Sequence, residues 1–483
     1  MFTAVLALFA LLYGWASVSR GLPELKGWHL DAPESEFTAS DLDSSFDFDD
    51  YLAIEDRVFD ELSALVAGPW SDDQAGGFSR YRSGSVSDPE IVLDRNWNRT
   101  FVLESERPVA GALLIHGLSD SPYSLRAIGQ RLHGSGYTVI GLRVPGHGTC
   151  PRALADIDRR DWVAAVRVAA IGLRARLPED TPLVLVGFSN GGALSLDYTI
   201  SALEEPDLPR PDSVVLFSPM VGITPLAQLT RLFGPVVRIS GELKAEWSSV
   251  NAEIDPFKYS SWPMNASVQA WNMTQQVERR LATLEQSGRI GELPPILAVQ
   301  SAVDRTVVVT DLISRLFDRL EPGTSELLLF DINRAQWHDD LIDRSFEDRI
   351  MPALRDSSLD FSLQIVTHAE GDSEELVLKG RTAEGYTEQP LTLRWPDHVF
   401  SQSHGSLPIP ADDPVYGPRE ASDGSALPLG ALFARGESGV LAFSESLFIR
   451  LRYNPFYEFT EDHVVDWLNA RLELSYEPQE PAS

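Results

Sequence analysis

The chain has 483 residues, 43% of them hydrophobic and 9% aromatic, which fits a globular protein and argues against a disordered one. Its net charge of −31 argues against a nucleic-acid partner, because phosphate binding needs clustered Lys and Arg side chains. The lone cysteine, Cys150, excludes an intramolecular disulfide.

The chain begins with an apolar run over residues 2–18, and its first charged residue is Arg20. A run of about 17 apolar residues is at the lower limit for a membrane span. No basic residue precedes it, as one would in a signal peptide. We expect residues 1–20 to form a transmembrane anchor. The alternative is a signal segment whose cleavage leaves a secreted or periplasmic protein.

Residues 21–50 are rich in Asp, Glu and Ser and are interpreted as a solvated acidic linker. Residues 51–483 then form the globular body, in which apolar patterns predict alternating helices and strands. The predicted elements are a helix at 51–66, strand 110–115, helix 124–132, strand 137–142, helix 157–176, a strand ending at 188, helix 193–203 and strand 213–217. This alternation predicts an α/β fold with a mostly parallel central sheet and helices on both faces.

A Gly-x-Ser-x-Gly motif joins the strand ending at residue 188 to the helix that follows. This strand–turn–helix context predicts a nucleophile elbow that presents the Ser189 hydroxyl above the sheet. Gly187 and Gly191 are needed because side chains there would collide with the neighbouring strand and helix.

Residues 219–292 break the alternation with scattered apolar and aromatic residues and are interpreted as a helical cap over the sheet edge. A strand at 294–299, a helix at 309–320 and a strand at 326–330 then resume the pattern. Residues 335–398 form an additional insertion whose strand-like segments, 360–366, 374–378 and 391–395, lengthen the sheet or form a flap. A helix at 461–472 ends the body.

A serine hydroxyl needs a base to take its proton, and the base needs an acid to orient it. In sheets of this kind the three residues follow one another along the chain in the order Ser, acid, His. Asp304 lies just beyond the strand at 294–299, where catalytic groups collect. His404 lies on an irregular loop rich in small residues and proline, so it is the expected base. His338, which lies soon after the last regular strand, is the alternative base.

The oxyanion produced by attack on a carbonyl needs two backbone N–H groups. We expect them at Asn190, directly after the nucleophile, and at Leu118, in the loop after the first buried strand. His116 is interpreted as a hydrogen-bonding support of that loop. No metal or cofactor is expected, since no group of His, Asp and Glu residues has ligand spacing.

Three segments resemble the α/β-hydrolase superfamily, and within it carboxylesterases and monoacylglycerol lipase-like serine hydrolases: His-Gly-Leu at 116–118, Pro-Gly-His-Gly-Thr at 145–149 and Gly-Phe-Ser-Asn-Gly at 187–191. The resemblance implies an α/β-hydrolase fold and hydrolysis of carboxylic esters by Ser189, Asp304 and His404. It departs from the family pattern in the gap of about 100 residues between the acid and the histidine, where a few tens are usual.

We therefore expect a membrane-anchored serine esterase that cleaves small-molecule acyl esters, among them monoacylglycerol-like lipids, through an acyl-enzyme. The same triad would serve a thioesterase or an amidase. A third hypothesis is a membrane-tethered binding protein on an inactive hydrolase fold. The oligomeric state is left open by the sequence.

Overall fold

The computed structural model describes residues 19–71, 77–222, 243–336, 359–370, 373–382, 385–418, 429–432 and 449–474. Its strands are β1 Phe101–Leu103, β2 Gly111–Ile115, β3 Thr138–Leu142, β4 Leu183–Phe188, β5 Ser213–Phe217, β6 Trp247–Ser249, β7 Trp262–Pro263, β8 Ile296–Ser301, β9 Glu326–Phe330, β10 Ser362–His368, β11 Leu376–Thr382 and β12 Gly385–Leu391. Its α-helices are α1 Gly27–Leu30, α2 Phe48–Ala67, α3 Arg126–Gly134, α4 Pro151–Asp156, α5 Arg159–Ala175, α6 Asn190–Glu204, α7 Met264–Gln286, α8 Val309–Arg315 and α9 Tyr457–Arg471.

One large sheet organises the described part of the chain, with ten strands in the order β1-β3-β2-β4-β5-β8-β9-β10-β11-β12. The strands from β3 to β10 in this order are parallel to one another. Strands β1, β11 and β12 run antiparallel to their neighbours. Strands β2, β4, β5, β8 and β9 are buried along their whole length, as parallel strands covered on both faces must be. The prediction of a mostly parallel α/β sheet is confirmed.

Helices cover both faces of this sheet, because successive side chains of a strand point to opposite sides. In β2, Leu113 packs into a hydrophobic layer shared with α2, α5, α6 and α7. The next residue, Leu114, packs into a second layer shared with α3 and α9. The catalytic candidates at the strand ends therefore rest on a sheet that is fixed from both sides.

Most predicted elements differ from the observed ones by a few residues at their ends. Strands β5 and β9 have the predicted bounds. The helix predicted over residues 157–176 is α5, and the separate short helix α4 before it was not predicted. Helix α5 begins at Arg159 because the Asp158 carboxylate caps it, accepting a hydrogen bond of 2.9 Å from the backbone N–H of Arg160.

Residues 21–50, interpreted from their composition as a linker, pack against the body of the protein. Trp28 and Phe37 are buried. The Asp47 carboxylate accepts hydrogen bonds of 2.9 and 3.0 Å from the backbone N–H groups two and three residues later, at the start of α2. Asp47 therefore has structural partners that composition did not disclose.

The prediction of a membrane-anchored protein is corrected by the helices themselves. In the stretches of chain that the structure describes, every helix is too short or too polar to cross a membrane. Residues 1–18, on which that prediction rested, lie outside the described residues.

The predicted cap, residues 219–292, contributes one long helix and a small sheet to the described structure. Helix α7 packs in the same hydrophobic layer as α6. Strands β6 and β7 pair with each other in an antiparallel ribbon. Residues 223–242 of this segment lie outside the described residues.

The additional insertion, residues 335–398, lengthens the sheet, which is one of the two outcomes expected for it. Strand β10 pairs in parallel with β9, and β11 and β12 continue as an antiparallel hairpin. The strand expected over residues 391–395 lies earlier in the chain, as β12. The insertion closes on itself, because Ile332 forms a β-bridge with Ser401 and the backbone N–H of Asn333 donates to the Phe400 carbonyl over 2.7 Å.

Candidate active site

Ser189 lies at the sharp turn between β4 and α6, with φ 53° and ψ −114°. A non-glycine residue rarely adopts this backbone conformation, which turns the side chain up from the sheet edge. A Cβ atom on Gly191 would lie 1.8 Å from the Ile115 carbonyl oxygen, and one on Gly187 would lie 2.6 Å from the Gly191 carbonyl oxygen. Both glycines of the motif are therefore required by close backbone approach, as the sequence predicted.

Asp304 lies in the turn beyond β8 and is buried. One carboxylate oxygen accepts hydrogen bonds from the backbone N–H groups of Thr306 at 2.7 Å and Val307 at 3.1 Å. These bonds fix the carboxylate so that its other oxygen faces His404.

His404 lies between the serine and the acid. Its Nδ1–H donates to Asp304 Oδ2 over 2.8 Å, and its Nε2 accepts from the Ser189 hydroxyl over 2.9 Å. The imidazole side chain is only 13% exposed, and its ring packs 5.5 Å from that of Phe188. The acid selects the tautomer in which Nε2 is free to accept the serine proton.

The loop that carries His404 is tied to the sheet on both sides of the histidine. The Ser301 hydroxyl, at the end of β8, donates to the Gln402 carbonyl over 3.0 Å. The Ser406 hydroxyl donates to the Gln402 side-chain oxygen over 2.8 Å, and the Asn454 side-chain amide donates to the Leu407 carbonyl over 3.2 Å. The imidazole is thus held although the loop has no regular secondary structure.

Two backbone N–H groups beside Ser189 are available to an oxyanion. Leu118 and Asn190 are buried at the site, and neither backbone N–H has an acceptor among the residues described. The loop before Leu118 is held by His116, whose Nε2 accepts from the Val144 N–H over 3.0 Å and whose Nδ1–H donates to the Gly117 carbonyl over 2.9 Å. Burial, and then the nearby His147, lower the pKa of His116 well below its ordinary value, so the ring stays neutral.

A cavity of about 480 Å³ opens over Ser189 and His404. Its apolar wall includes Leu118, Phe188, Met220, Trp262 and Ile409.

A second, charged wall comes from the loop after β2, from the middle of the cap and from the C-terminal region. Lys258 forms an ion pair of 2.8 Å with Asp120, and Arg452 forms one of 3.1 Å with Asp255. Arg450 also lines the cavity. The sequence analysis missed these residues, because they come from three distant segments and none carries a local motif.

The remaining candidates of the sequence analysis lie elsewhere. His338, the alternative base, lies outside the described residues. Among the side chains that the structure describes, no three His, Cys, Asp or Glu residues are grouped so as to hold a metal ion.

Comparison with known proteins relates just under half of the chain to a hydrolase family. The family model described as serine aminopeptidase, S33, matches residues 106–343. A thermostable monoacylglycerol lipase of Bacillus sp. (strain H-257) is 34% identical over 92 residues, which are 19% of this chain and 36% of the lipase. Phospholipase YtpA of Bacillus subtilis (strain 168) is 28% identical over 120 residues, 25% of this chain and 44% of that protein. The chain thus spans less than half the length of these curated relatives.

Among solved structures, the chain is similar to one described for the metagenome-derived lipolytic enzymes LipS and LipT. The two sequences are 22% identical and the TM-score is 0.38; the match covers 48% of this chain and 87% of the other. The family match spans the segment that contains the strand–turn–helix around Ser189 and the parallel strands on either side of it. Residues 106–343 therefore match a serine-hydrolase family model and have the parallel sheet of an α/β-hydrolase fold.

Proposed function

We propose that the protein hydrolyses carboxylic esters through an acyl-enzyme formed on Ser189. The observation that carries this proposal is the unbroken hydrogen-bonded series Ser189–His404–Asp304, with distances of 2.9 and 2.8 Å. A hydroxyl so placed has a base to take its proton and an acid to stabilise the resulting imidazolium. An inactive binding protein on the same fold would have no need of this geometry.

In the first half of the reaction, the Ser189 oxygen attacks the ester carbonyl carbon while His404 Nε2 accepts the hydroxyl proton. The backbone N–H groups of Leu118 and Asn190 stabilise the oxyanion, and each such donor is worth about a hundredfold to a thousandfold in rate. The imidazolium then protonates the leaving alcohol. Water, deprotonated by the same histidine, attacks the acyl-enzyme and releases the carboxylic acid.

The shape of the cavity favours an acyl ester with an apolar acyl group. A volume of about 480 Å³ lies within the range of roughly 300–1,000 Å³ that is usual for small-molecule sites. The apolar wall accommodates the acyl chain, and the charged wall faces the alcohol portion. A monoacylglycerol-like lipid has this division, and the Bacillus relative is a monoacylglycerol lipase by name.

Peptide substrates fit the described cavity less well. An aminopeptidase needs an anionic group to bind the ammonium of its substrate. The two carboxylates that line the described cavity are both paired, Asp120 with Lys258 and Asp255 with Arg452. The charge arrangement therefore supports ester over aminopeptide hydrolysis.

The test is hydrolysis of p-nitrophenyl esters from acetate to palmitate, with amino-acid p-nitroanilides and an acyl thioester in parallel. Wild type is compared with Ser189→Ala, His404→Ala and His338→Ala. We expect ester turnover in the wild type, its loss in the first two variants and its retention in the third. Loss in His338→Ala alone would transfer the base role to that residue. Turnover of the anilide or thioester only would replace the esterase proposal.

A further inference from the structure

A buried charge cluster holds the loop after β3. Its centre is Arg143, whose side chain is fully buried, and its acids, Glu36 and Glu55, come from a segment outside the family match. We propose that Glu36 and Glu55 are positioning residues that, through Arg143, set the orientation of the Leu118 N–H in the oxyanion hole. This inference rests on the proposed ester hydrolysis.

The Glu36 carboxylate binds the loop after β3 at two residues. Its two carboxylate oxygens accept a bidentate pair of hydrogen bonds from the Arg143 guanidinium, at 2.8 and 2.9 Å. One of them also accepts from the backbone N–H of Gly146 over 3.0 Å. Bidentate pairing fixes the angle of the guanidinium as well as its distance.

Glu55 binds the same guanidinium from α2. Its Oε2 accepts from Arg143 Nε over 3.1 Å, and the residue is itself held by Thr100, whose N–H and hydroxyl each donate over 2.7 Å. The Thr100 hydroxyl in turn accepts from the Arg143 backbone N–H over 2.9 Å. An arginine without solvent contact thus has both of its compensating charges supplied by the N-terminal segment.

The loop so held supports the oxyanion hole through His116. The Val144 N–H, next to Arg143, donates to His116 Nε2 over 3.0 Å, which leaves the ring proton on Nδ1. That Nδ1–H donates to the Gly117 carbonyl over 2.9 Å. The Gly117 carbonyl and the Leu118 N–H belong to one planar trans peptide, so fixing the oxygen aims the N–H in the opposite direction.

The Arg143 guanidinium also donates to the His147 carbonyl over 3.0 Å, and the His147 ring packs edge-on against His116 at 5.0 Å. The imidazole of His116 is therefore contacted by the residue next to Arg143 and by a residue whose carbonyl Arg143 binds. Loosening the guanidinium frees the peptide that carries the Leu118 N–H without removing any group that contacts substrate.

The experiment compares Glu36→Gln with Glu34→Gln, an exposed glutamate two residues away, in the full chain. A fluorophosphonate titrates the active fraction, and p-nitrophenyl ester kinetics and inhibition by a trifluoromethyl ketone are then measured per active site. Because removing one oxyanion donor costs about a hundredfold to a thousandfold, we expect a misaligned donor to cost about tenfold in kcat. Ketone affinity should fall in parallel, with KM nearly unchanged.

A purely structural role for Glu36 predicts another result: fewer active sites, with kcat and ketone affinity per site equal to those of Glu34→Gln. That result overturns the proposal. If Glu36→Gln does not fold, Glu36→Asp keeps the charge but shortens the bidentate reach, and the same comparison applies. A wild type that neither hydrolyses esters nor reacts with the phosphonate refutes the proposed function instead.

Discussion

The backbone conformation at Ser189 predicts that the Ser189→Gly protein is more stable to unfolding than the Ser189→Ala protein. Within a helix or strand the order is the reverse. At φ 53° and ψ −114° a residue with a Cβ atom carries about 1–3 kcal/mol of strain. Glycine relieves that strain but costs about 0.5–1 kcal/mol in backbone entropy. Ser189→Ala and Ser189→Gly both lose the hydrogen bond to His404, so their difference isolates the backbone. We expect Ser189→Gly to exceed Ser189→Ala by about 1 kcal/mol in free energy of unfolding.

Urea unfolding of the two variants at one pH measures this difference, provided that the slopes agree, since equal slopes mean equal exposed surface. Ala64→Gly is the control, because Ala64 is exposed within α2 and the exchange there should cost about 1 kcal/mol. If Ser189→Gly is less stable than Ser189→Ala, the elbow is not strained and the argument fails. If glycine is more stabilising than alanine at residue 189 but not at residue 64, the strained backbone that holds the nucleophile towards His404 lowers the stability of the protein.

Three further changes have distinct expected results. Asp304→Asn should lower kcat about 10⁴-fold per folded molecule, because an amide cannot stabilise the imidazolium; steady-state ester kinetics with titrated enzyme check this. Gly191→Ala should destabilise the fold by about 3 kcal/mol or more, because its Cβ would lie 1.8 Å from the Ile115 carbonyl oxygen; an unaltered urea midpoint would contradict the close approach. Burial lowers the pKa of His147 to about 4. Between pH 4 and 6.5 the unfolded chain therefore binds more protons at this residue than the folded chain does. The free energy of unfolding then rises with pH, by up to about 1.4 kcal/mol per pH unit. His147→Gln should reduce that slope in unfolding experiments across this range.

The nucleophile and its strand were predictable because their signal is local. Within ten residues the sequence carries an apolar run, the two glycines that allow close approach, and the start of a helix. The parallel sheet was predictable for the same reason, since each strand is a short apolar run bounded by polar turns. Candidate side chains at the ends of such strands follow from position alone, which is how Asp304 was predicted as the acid; its carboxylate lies 2.8 Å from His404 Nδ1.

In the N-terminal segment, local composition did not predict the surroundings of the acidic side chains. Composition described residues 21–50 as acidic, but it did not show which way each acid faces. Glu36 of this segment, and Glu55 of the helix that follows it, form ion pairs with Arg143, about a hundred residues further on, and no spacing rule links them. Only the folded structure shows that some of the acidic residues behind the negative net charge form ion pairs with a buried arginine.

Asp304 and His404 are joined by a hydrogen bond although an insertion separates them in the sequence. Loop-closure entropy grows only with the logarithm of length, so extending a loop from a few tens of residues to about 100 costs roughly 1 kcal/mol. The pairing of Ile332 with Ser401 offsets this cost and returns the chain to the end of β9 before the histidine loop begins. The position of His404 therefore depends on the base of the insertion rather than its length, so sequence distance is a poor guide to this histidine and loop chemistry is a better one.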